Sequence, residues 1–357
     1  MKKVTFLVGD LNSSGGTERV TSLVANKLID LGYSISILSL VNGCNPYFDL
    51  RKNIEVDSLY KNKISFKKNY LNIIFKIRKY IKHNNIDTLI VVDSISCIFT
   101  VPALFGLNVN HICWEHFNFN VDLGVSYRNI GRKLAAKYCN YIVTLTKRDE
   151  TLWQQGLKKI NAKIIPISNP TPYEDIAHIP DLKYKTILSV GRLTHQKGFD
   201  LLIKAWHEVC KSNREWKLKI VGNGEEEENL KNQVSSFSLE ERVEFITATK
   251  KIEEYYKTSS FYCMSSRYEG LPMVLLEAQS FGLPIVSFDC DTGPSDLILH
   301  KNNGYLCSPD NIKSLAEGLL YLMNISKINY LNMVNLSKDK SKDYKLENII
   351  NKWTQII

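Results

Sequence analysis

Short, nearly unbroken apolar runs recur along this chain, each closed by a polar or glycine-rich stretch. Val4–Val8 passes through Gly9–Arg19 into a helix expected over Val20–Leu31. Ser34–Leu40, Thr88–Val92, His111–Trp114 and Tyr141–Leu145 repeat the pattern, the last three ending in Asp93, Glu115-His116-Phe117-Asn118 and Thr146. Apolar residues at successive positions mark strands covered on both faces, as in a parallel sheet. Residues 169–183 hold three prolines and no periodicity, and read as a linker. The series then restarts. Thr186–Val190, Lys217–Val221, Val243–Ile246, Ser260–Met264 and Ile285–Phe288 read as strands, and Leu201–Cys210 reads as a helix. From Ser308 onward the pattern is helical, with a last helix over Tyr344–Ile357. The fold class expected is α/β, with one domain over 1–170 and a second over 183–343.

A length of 357 residues suits two such domains better than one core. No apolar run reaches the ~20 residues of a membrane-spanning helix. Met1-Lys2-Lys3 has the charge of a signal-peptide start. The apolar stretch behind it is short, however, and no small-residue cleavage site follows, so it reads as a first strand. Eight cysteines stand singly without a C-x-x-C pair. That argues against a zinc site or a disulfide framework and for a reducing, cytoplasmic setting.

The net charge of +9 is unevenly placed. Residues 1–180 carry 23 Lys+Arg against 14 Asp+Glu, and the rest of the chain carries 23 of each. Between Lys61 and Asn85 lie eight basic residues and no acid, interleaved with large apolar side chains such as Ile64, Phe66, Leu71 and Phe75. Such a stretch either rests on an anionic membrane surface or forms the solvated helix of a lysine-heavy protein. No recognition motif accompanies the charge, so nucleic acid is not expected as a partner.

The candidate chemistry centres on Arg267–Ala278. Gly270 lets the backbone approach a ligand, and Pro272 fits a helix start. Glu269 precedes the helix, and Glu277 lies inside its apolar run. A helix N-terminus between two acids suits a ligand with a diphosphate in its middle and hydroxyls at both ends. Gly15-Gly16 repeats the strand–loop–helix arrangement near the N-terminus. It lacks the G-x-G-x-x-G spacing of a dinucleotide fingerprint. Arg192 and Lys197, five positions apart on the loop after Thr186–Val190, can neutralise one diphosphate. His116 is an ionisable group at a strand's end.

The E-x7-E spacing of Glu269 and Glu277 stands between Glu-Gly-Leu-Pro and the later Gly282-Leu283-Pro284. Together with Gly191-Arg192…Lys197-Gly198 and Gly15-Gly16-x-Glu18-Arg19, it resembles the family-four group of retaining GT-B glycosyltransferases, of the bacterial surface-polysaccharide type. The resemblance implies two Rossmann-like domains facing each other across a cleft, with helix 344–357 returning to the first. It implies transfer of a hexosyl unit from a nucleotide sugar, UDP-linked, to a hydroxyl of a glycan or lipid-linked acceptor. Retention is implied, with no metal and no cofactor. Arg192 and Lys197 would hold the diphosphate, and Glu277 the ribose hydroxyls. Gly15, Gly16, Gly270, Leu271 and Gly293 would line the donor. Glu269 would orient the sugar, and His116 would lie near it as the second catalytic candidate. Asp289-Cys290-Asp291 imitates the D-x-D metal motif of another glycosyltransferase fold, but follows a late strand and is discounted. The alternatives are a UDP-sugar epimerase of related fold and a non-catalytic nucleotide-sugar-binding protein. The enzyme is expected in the cytoplasm, on the inner face of the membrane.

Overall fold

The apolar runs become two all-parallel sheets. A computed structural model describes residues 1–357, which divide into Met1–Pro170 with Leu346–Ile357 (unit 1) and Thr171–Lys345 (unit 2). Unit 1 holds β1 (Lys3–Val8), β2 (Ser34–Ser39), β3 (Glu55–Ser58), β4 (Thr88–Val92), β5 (Asn110–Trp114), β6 (Tyr141–Thr144) and β7 (Lys163–Pro166). Their spatial order is β3-β2-β1-β4-β5-β6-β7. Unit 2 holds β8 (Thr186–Val190), β9 (Lys217–Val221), β10 (Val243–Ile246), β11 (Phe261–Met264), β12 (Ile285–Phe288) and β13 (Gly304–Cys307), in the order β10-β9-β8-β11-β12-β13. Each sheet reverses its winding once, between β1 and β4 and between β8 and β11. In an open α/β sheet the crevice at the carboxyl ends of those two strands is where ligands bind.

Helices cover the sheets. Unit 1 carries α1 (Gly16–Asp30), α2 (Tyr70–Asn84), α3 (Cys97–Leu104), α4 (Tyr127–Tyr138) and α5 (Lys147–Gly156). Unit 2 carries α6 (Phe199–Cys210), α7 (Glu227–Ser236), α8 (Ile252–Lys257), α9 (Met273–Ser280), α10 (Pro294–Leu297), α11 (Ile312–Met323) and α12 (Lys327–Ser341). The last helix, α13 (Leu346–Trp353), packs in unit 1. Its Trp353 ring meets Trp114 of β5 edge-on at 4.7 Å. Beyond it, the Ile356 and Ile357 carbonyls accept from Asn110 Nδ2 at 2.7 Å and Lys2 Nζ at 2.6 Å. Strand interiors such as Phe6, Ile90, Ile112, Leu188 and Phe261 are fully buried, as covering on both faces requires.

The differences from the sequence pattern have simple causes. β3 and β7 are edge strands of partly exposed residues, and their short polar or proline-ended sequences carry no apolar run. α1 starts at Gly16, because Thr17-Glu18-Arg19 form a polar first turn with an acid where the helix dipole favours one. α2 starts at Tyr70, leaving Lys61–Asn69 outside the helix. The proline-rich stretch is pinned within unit 2. Thr171 Oγ1 and Ser280 Oγ share a hydrogen bond at 2.7 Å, and Ser260 Oγ donates to the Asp181 carbonyl at 2.8 Å.

Candidate functional site

The winding reversal in unit 2 is held open by a tyrosine. The β8–β11 ladder is limited to Ile187↔Phe261 and Leu188↔Tyr262. Beyond it the Tyr262 hydroxyl takes over both polar groups of Val190, accepting from its N–H and donating to its carbonyl at 3.0 Å each. The ladder's next rung thus becomes a side-chain bond, and the two carboxyl ends are free to diverge without leaving a buried backbone group unpaired.

The loops leaving these two strands carry the predicted donor residues. Lys197 Nζ bonds Glu269 Oε1 at 2.6 Å, joining the β8 loop to the β11 loop. Backbone bonds repeat that link. Arg267 N–H donates to the Gln196 carbonyl at 2.8 Å, and Gln196 Nε2 donates to the Tyr268 carbonyl at 3.0 Å. Gly198 sits at φ +63°, and a Cβ there would collide with the Ser265 carbonyl, so the close approach of the two loops requires glycine. Arg267 clamps Asp200 with two bonds of 2.8 Å and fixes the start of α6. Arg192 is exposed, on the same loop as Lys197.

A third loop closes on the motif from the β12 side. Thr292 Oγ1 donates to the Glu269 carbonyl at 2.6 Å. Gly293, at φ +99°, lies so near that a Cβ would stand 2.8 Å from the Gly270 carbonyl. Lys197, Glu269, Gly270 and Gly293 therefore meet at one place. Leu271 is buried beside them, at the foot of α9. Pro272 is the N-cap of that helix, one place ahead of the first helical residue, and no side chain caps it. Within α9, Glu277 is buried and accepts from the Tyr256 hydroxyl at 2.9 Å. Burial, reinforced by the Glu277 carboxylate, pushes the Tyr256 hydroxyl well above its usual range, so it remains a donor. Asn223 Oδ1 accepts from the Ala248 N–H at 2.5 Å, which fixes the backbone of Thr247–Thr249.

Unit 1 places the remaining candidates on its own loops. Gly15 caps α1 in an extended conformation, and the Glu18 carboxylate occupies the space its Cβ would fill. Gly16, the first residue of α1, is exposed. His116 lies buried against Trp114, ring centroids 4.6 Å apart. Burial pulls its pKa down to about 3, so the imidazole stays neutral at any working pH. Its Nε2 is buried and has no hydrogen-bond partner. A neutral ring with one open nitrogen can bond a ligand hydroxyl; it cannot carry a positive charge there.

A buried charge network, invisible in the sequence, holds the loop that bears His116. Glu115 is fully buried. It accepts from Ser94 Oγ at 2.5 Å, from Arg132 Nε at 3.2 Å and from the N–H groups of His116 and Phe117 at 3.1 Å. Arg132 also donates to the carbonyls of Phe119, Asn118 and Val121. Arg128 grips Asp93 with bonds of 2.6 and 2.9 Å and lies over the Phe117 ring. Burial raises Asp93 to about 6 and Asp149, which accepts from the Phe119 N–H, to about 7. These groups come from four separate elements. The available signal was Arg128 and Arg132 one helical turn apart, a spacing that also describes any solvated face.

Comparison with known proteins identifies the family. Residues 14–173 match the family model Glycosyltransferase Family 4, and residues 174–338 match Glycosyl transferases group 1. A Haemophilus influenzae protein named as an uncharacterized glycosyltransferase is 44% identical over 100% of both chains. The amylovoran biosynthesis glycosyltransferase AmsD of Erwinia amylovora is 30% identical, again over 100% of both. A Campylobacter jejuni α-1,4-N-acetyl-D-galactosaminyltransferase, named for a diNAcBac-PP-undecaprenol-linked acceptor, is 27% identical over 100% of this chain and 98% of its own. In fold, S. aureus TarM, solved with UDP, matches with a TM-score of 0.82 at 17% identity, covering 100% of this chain and 99% of that one. HepE of Anabaena, solved with UDP and glucose, matches at 0.79 and 16%, over 98% of each. Fold and relatives together define a GT-B glycosyltransferase of bacterial polysaccharide biosynthesis. The chain belongs to the family-four glycosyltransferases.

Proposed function

We propose that this chain transfers a hexosyl unit from a UDP-linked sugar to a hydroxyl of a glycan or lipid-linked acceptor, with retention at the anomeric carbon and without a metal ion. The observation that carries the reading is the Lys197–Glu269 pair, which joins the two loops at the winding reversal of unit 2. A diphosphate entering there would draw Lys197 away from Glu269. Lys197 and the exposed Arg192 would then meet the charge that builds on the leaving nucleotide, the task a metal ion performs elsewhere. Glu269, released, would orient the sugar hydroxyls. Glu277 would serve the ribose, and Gly270, Leu271 and Gly293 would let the diphosphate approach the start of α9. Within unit 1, neutral His116 could accept from a sugar hydroxyl, and Gly15 and Gly16 would leave the backbone open to a donor group. The UDP in the TarM and HepE structures and the lipid-linked acceptor in the Campylobacter relative's name support the substrate assignments. In the same reading, residues 61–85 hold unit 1 on the cytoplasmic face of an anionic membrane.

Incubation with a panel of nucleotide sugars and a polyprenol-diphosphate-linked glycan tests this. Release of UDP, with a product of the donor's anomeric configuration by NMR and full activity in EDTA, is the expected result. Inverted product or loss of activity restored by Mn²⁺ would overturn the mechanism. Isomerised donor without transfer would indicate an epimerase, and binding without turnover a silent binder.

A further inference from the structure

The eight cysteines show no pairing motif in sequence, yet the fold brings two of them and a histidine to one point in the core of unit 1, with a third cysteine beside them. His111 and Cys113 are two residues apart on β5 and so face the same side of the sheet. Cys97 opens α3, and Cys139 directly follows α4. The ligand atoms of Cys97, His111 and Cys139 all lie within 4.8 Å of one another, with Cys139 Sγ 3.5 Å from His111 Nδ1. Cys113 lies outside that 4.8 Å group, next to it on the same face of β5 as His111. All four side chains are buried.

The histidine is oriented as a ligand would be. Its Nε2 lies 3.0 Å from Thr100 Oγ1, and its backbone N–H donates to Asn140 Oδ1 at 2.8 Å. Nδ1 is thereby turned towards the thiols. A hydrogen bond at the distal nitrogen is the feature that fixes ring and tautomer in metal-bound histidines.

We propose that Cys97, His111, Cys113 and Cys139 bind one Zn²⁺ as a structural site. Tetrahedral zinc, with Zn–S near 2.3 Å and Zn–N near 2.0 Å, sets its ligand atoms roughly 3.5–3.8 Å apart. The Cys139–His111 separation meets that directly, Cys97 needs to draw in by about 1 Å or less, and Cys113 has further to move to complete the set. Three thiolates and a neutral imidazole around a dication leave one net negative charge, and the thiol protons pass to solvent on binding. Soft sulfur with one imidazole selects zinc over magnesium or calcium. A closed, buried set of four protein ligands leaves no position for water, so the ion takes no part in sugar transfer. It would tie α3 and the end of α4 to β5, the strand that runs into Glu115 and His116.

The test uses full-length protein expressed with zinc in the medium and purified by gel filtration in EDTA. Mass spectrometric metal analysis should find about one zinc per chain, the content of a single four-ligand site. Refolding the wild-type chain from denaturant in Co²⁺ should give the intense near-ultraviolet thiolate-to-cobalt band and the visible bands of a tetrahedral ion. Thr100→Val, which keeps the volume and removes the bond to His111, should weaken zinc affinity ~10–100-fold. Metal-free protein with no thiolate–cobalt band on refolding would overturn the proposal and leave the cluster as packed thiols. Loss of two titratable thiols in metal-free protein would overturn it in favour of a disulfide. Full zinc content in a Cys97→Ser/Cys139→Ser double variant would also overturn it, by placing the metal elsewhere.

Discussion

The two units share a strand order, and both place charged groups where their sheets reverse winding, but the charges do different work. In unit 2 the charges stand on loops and can be exchanged. Arg192 is exposed, and the Lys197 side chain, 21% exposed, has a single acid to leave. In unit 1 they are sealed. The Glu115 and Arg132 side chains are at most 1% exposed, and both bond backbone groups of the loop they support. A sealed ion pair gains little net stability over an apolar pair, because desolvation offsets most of its attraction. What it does give is one loop conformation. Unit 2 charges are therefore left able to change partners, and unit 1 charges fix the loop that carries His116.

The largest effect that could break this comparison is on stability. Arg132→Met removes the main partner of a fully buried carboxylate and should cost about 3–5 kcal/mol in urea unfolding. Lys197→Met, at a partly exposed pair, should cost about 1 kcal/mol or less. Equal losses would show that the two networks are not different in kind.

Next in size is catalysis, where the order should invert. Lys197→Ala and Arg192→Ala should each lose about 2–4 kcal/mol of kcat/KM, the scale seen when a group stabilising a developing anion is removed. Glu277→Gln should weaken the binding of UDP alone by calorimetry, whereas Glu269→Gln should spare it and depress turnover. Near-normal kcat/KM in both cation variants would remove the chemical half of the contrast.

How much of each unit could be read from sequence follows the same division. The unit 2 candidates lie on contiguous segments, so Gly191–Gly198 and Glu269–Glu277 already named most of them. Even there the Lys197–Glu269 bond was not legible, since nothing in a 72-residue separation says which cation meets which acid. In unit 1, Asp93, Glu115 and His116 could be placed at strand ends. Their partners Arg128 and Arg132 lie on a helix whose face only packing decides. The thiol cluster is the extreme case. Cys97, His111 and Cys139 are spread over more than forty residues and meet only because β5 runs beside α3 and α4. The strands themselves were legible wherever burial on both faces wrote an apolar run; of the four edge strands only β10 was read, whereas β3, β7 and β13 were not.

A pH titration sharpens the picture of the unit 1 wall. Burial holds His116 at about 3 against 6.5 in the unfolded chain. Its folded pKa is depressed, so the stability of the neutral form is fully present above about pH 6.5. It is lost as pH falls towards 3, by about 1.4 kcal/mol per unit within that window. Asp93 and Asp149 slope the other way. Their pKa values are raised, to about 6 and about 7, so their contribution is full below about pH 4 and is lost as pH rises through those values. The His116 share is therefore read as the difference between wild type and His116→Gln, in urea midpoints at pH 7 and pH 4.5. The variant should gain on wild type as pH falls. Parallel curves would mean that the imidazole is not buried as described.

The smallest effect per residue concerns the surface of unit 1, where the charge excess lies. α2 buries Ile73, Ile77 and Ile81 and turns Leu71 and Phe75, 78% and 65% exposed, to solvent. Phe105, 80% exposed, is tied to the same helix by Arg78, which donates to its carbonyl at 2.8 Å. Lys67, Lys68, Lys79 and Lys82 are exposed along this stretch. Lys76 is not available to lipid in the same way, since its Nζ donates to the Leu59 carbonyl at 2.8 Å and lies over the Tyr60 ring. Apolar side chains ringed by cations fit an anionic interface, each cation contributing roughly 1 kcal/mol and less as salt rises. Binding to anionic vesicles should thus exceed binding to neutral ones and fall with salt. Changing Lys67, Lys68, Lys79 and Lys82 to Glu should abolish it, whereas Leu71→Ser with Phe75→Ser should weaken it and leave its salt dependence intact. Equal affinity for neutral and anionic vesicles, or no response to the four charge reversals, would mean that the excess charge of unit 1 is only a solvated face.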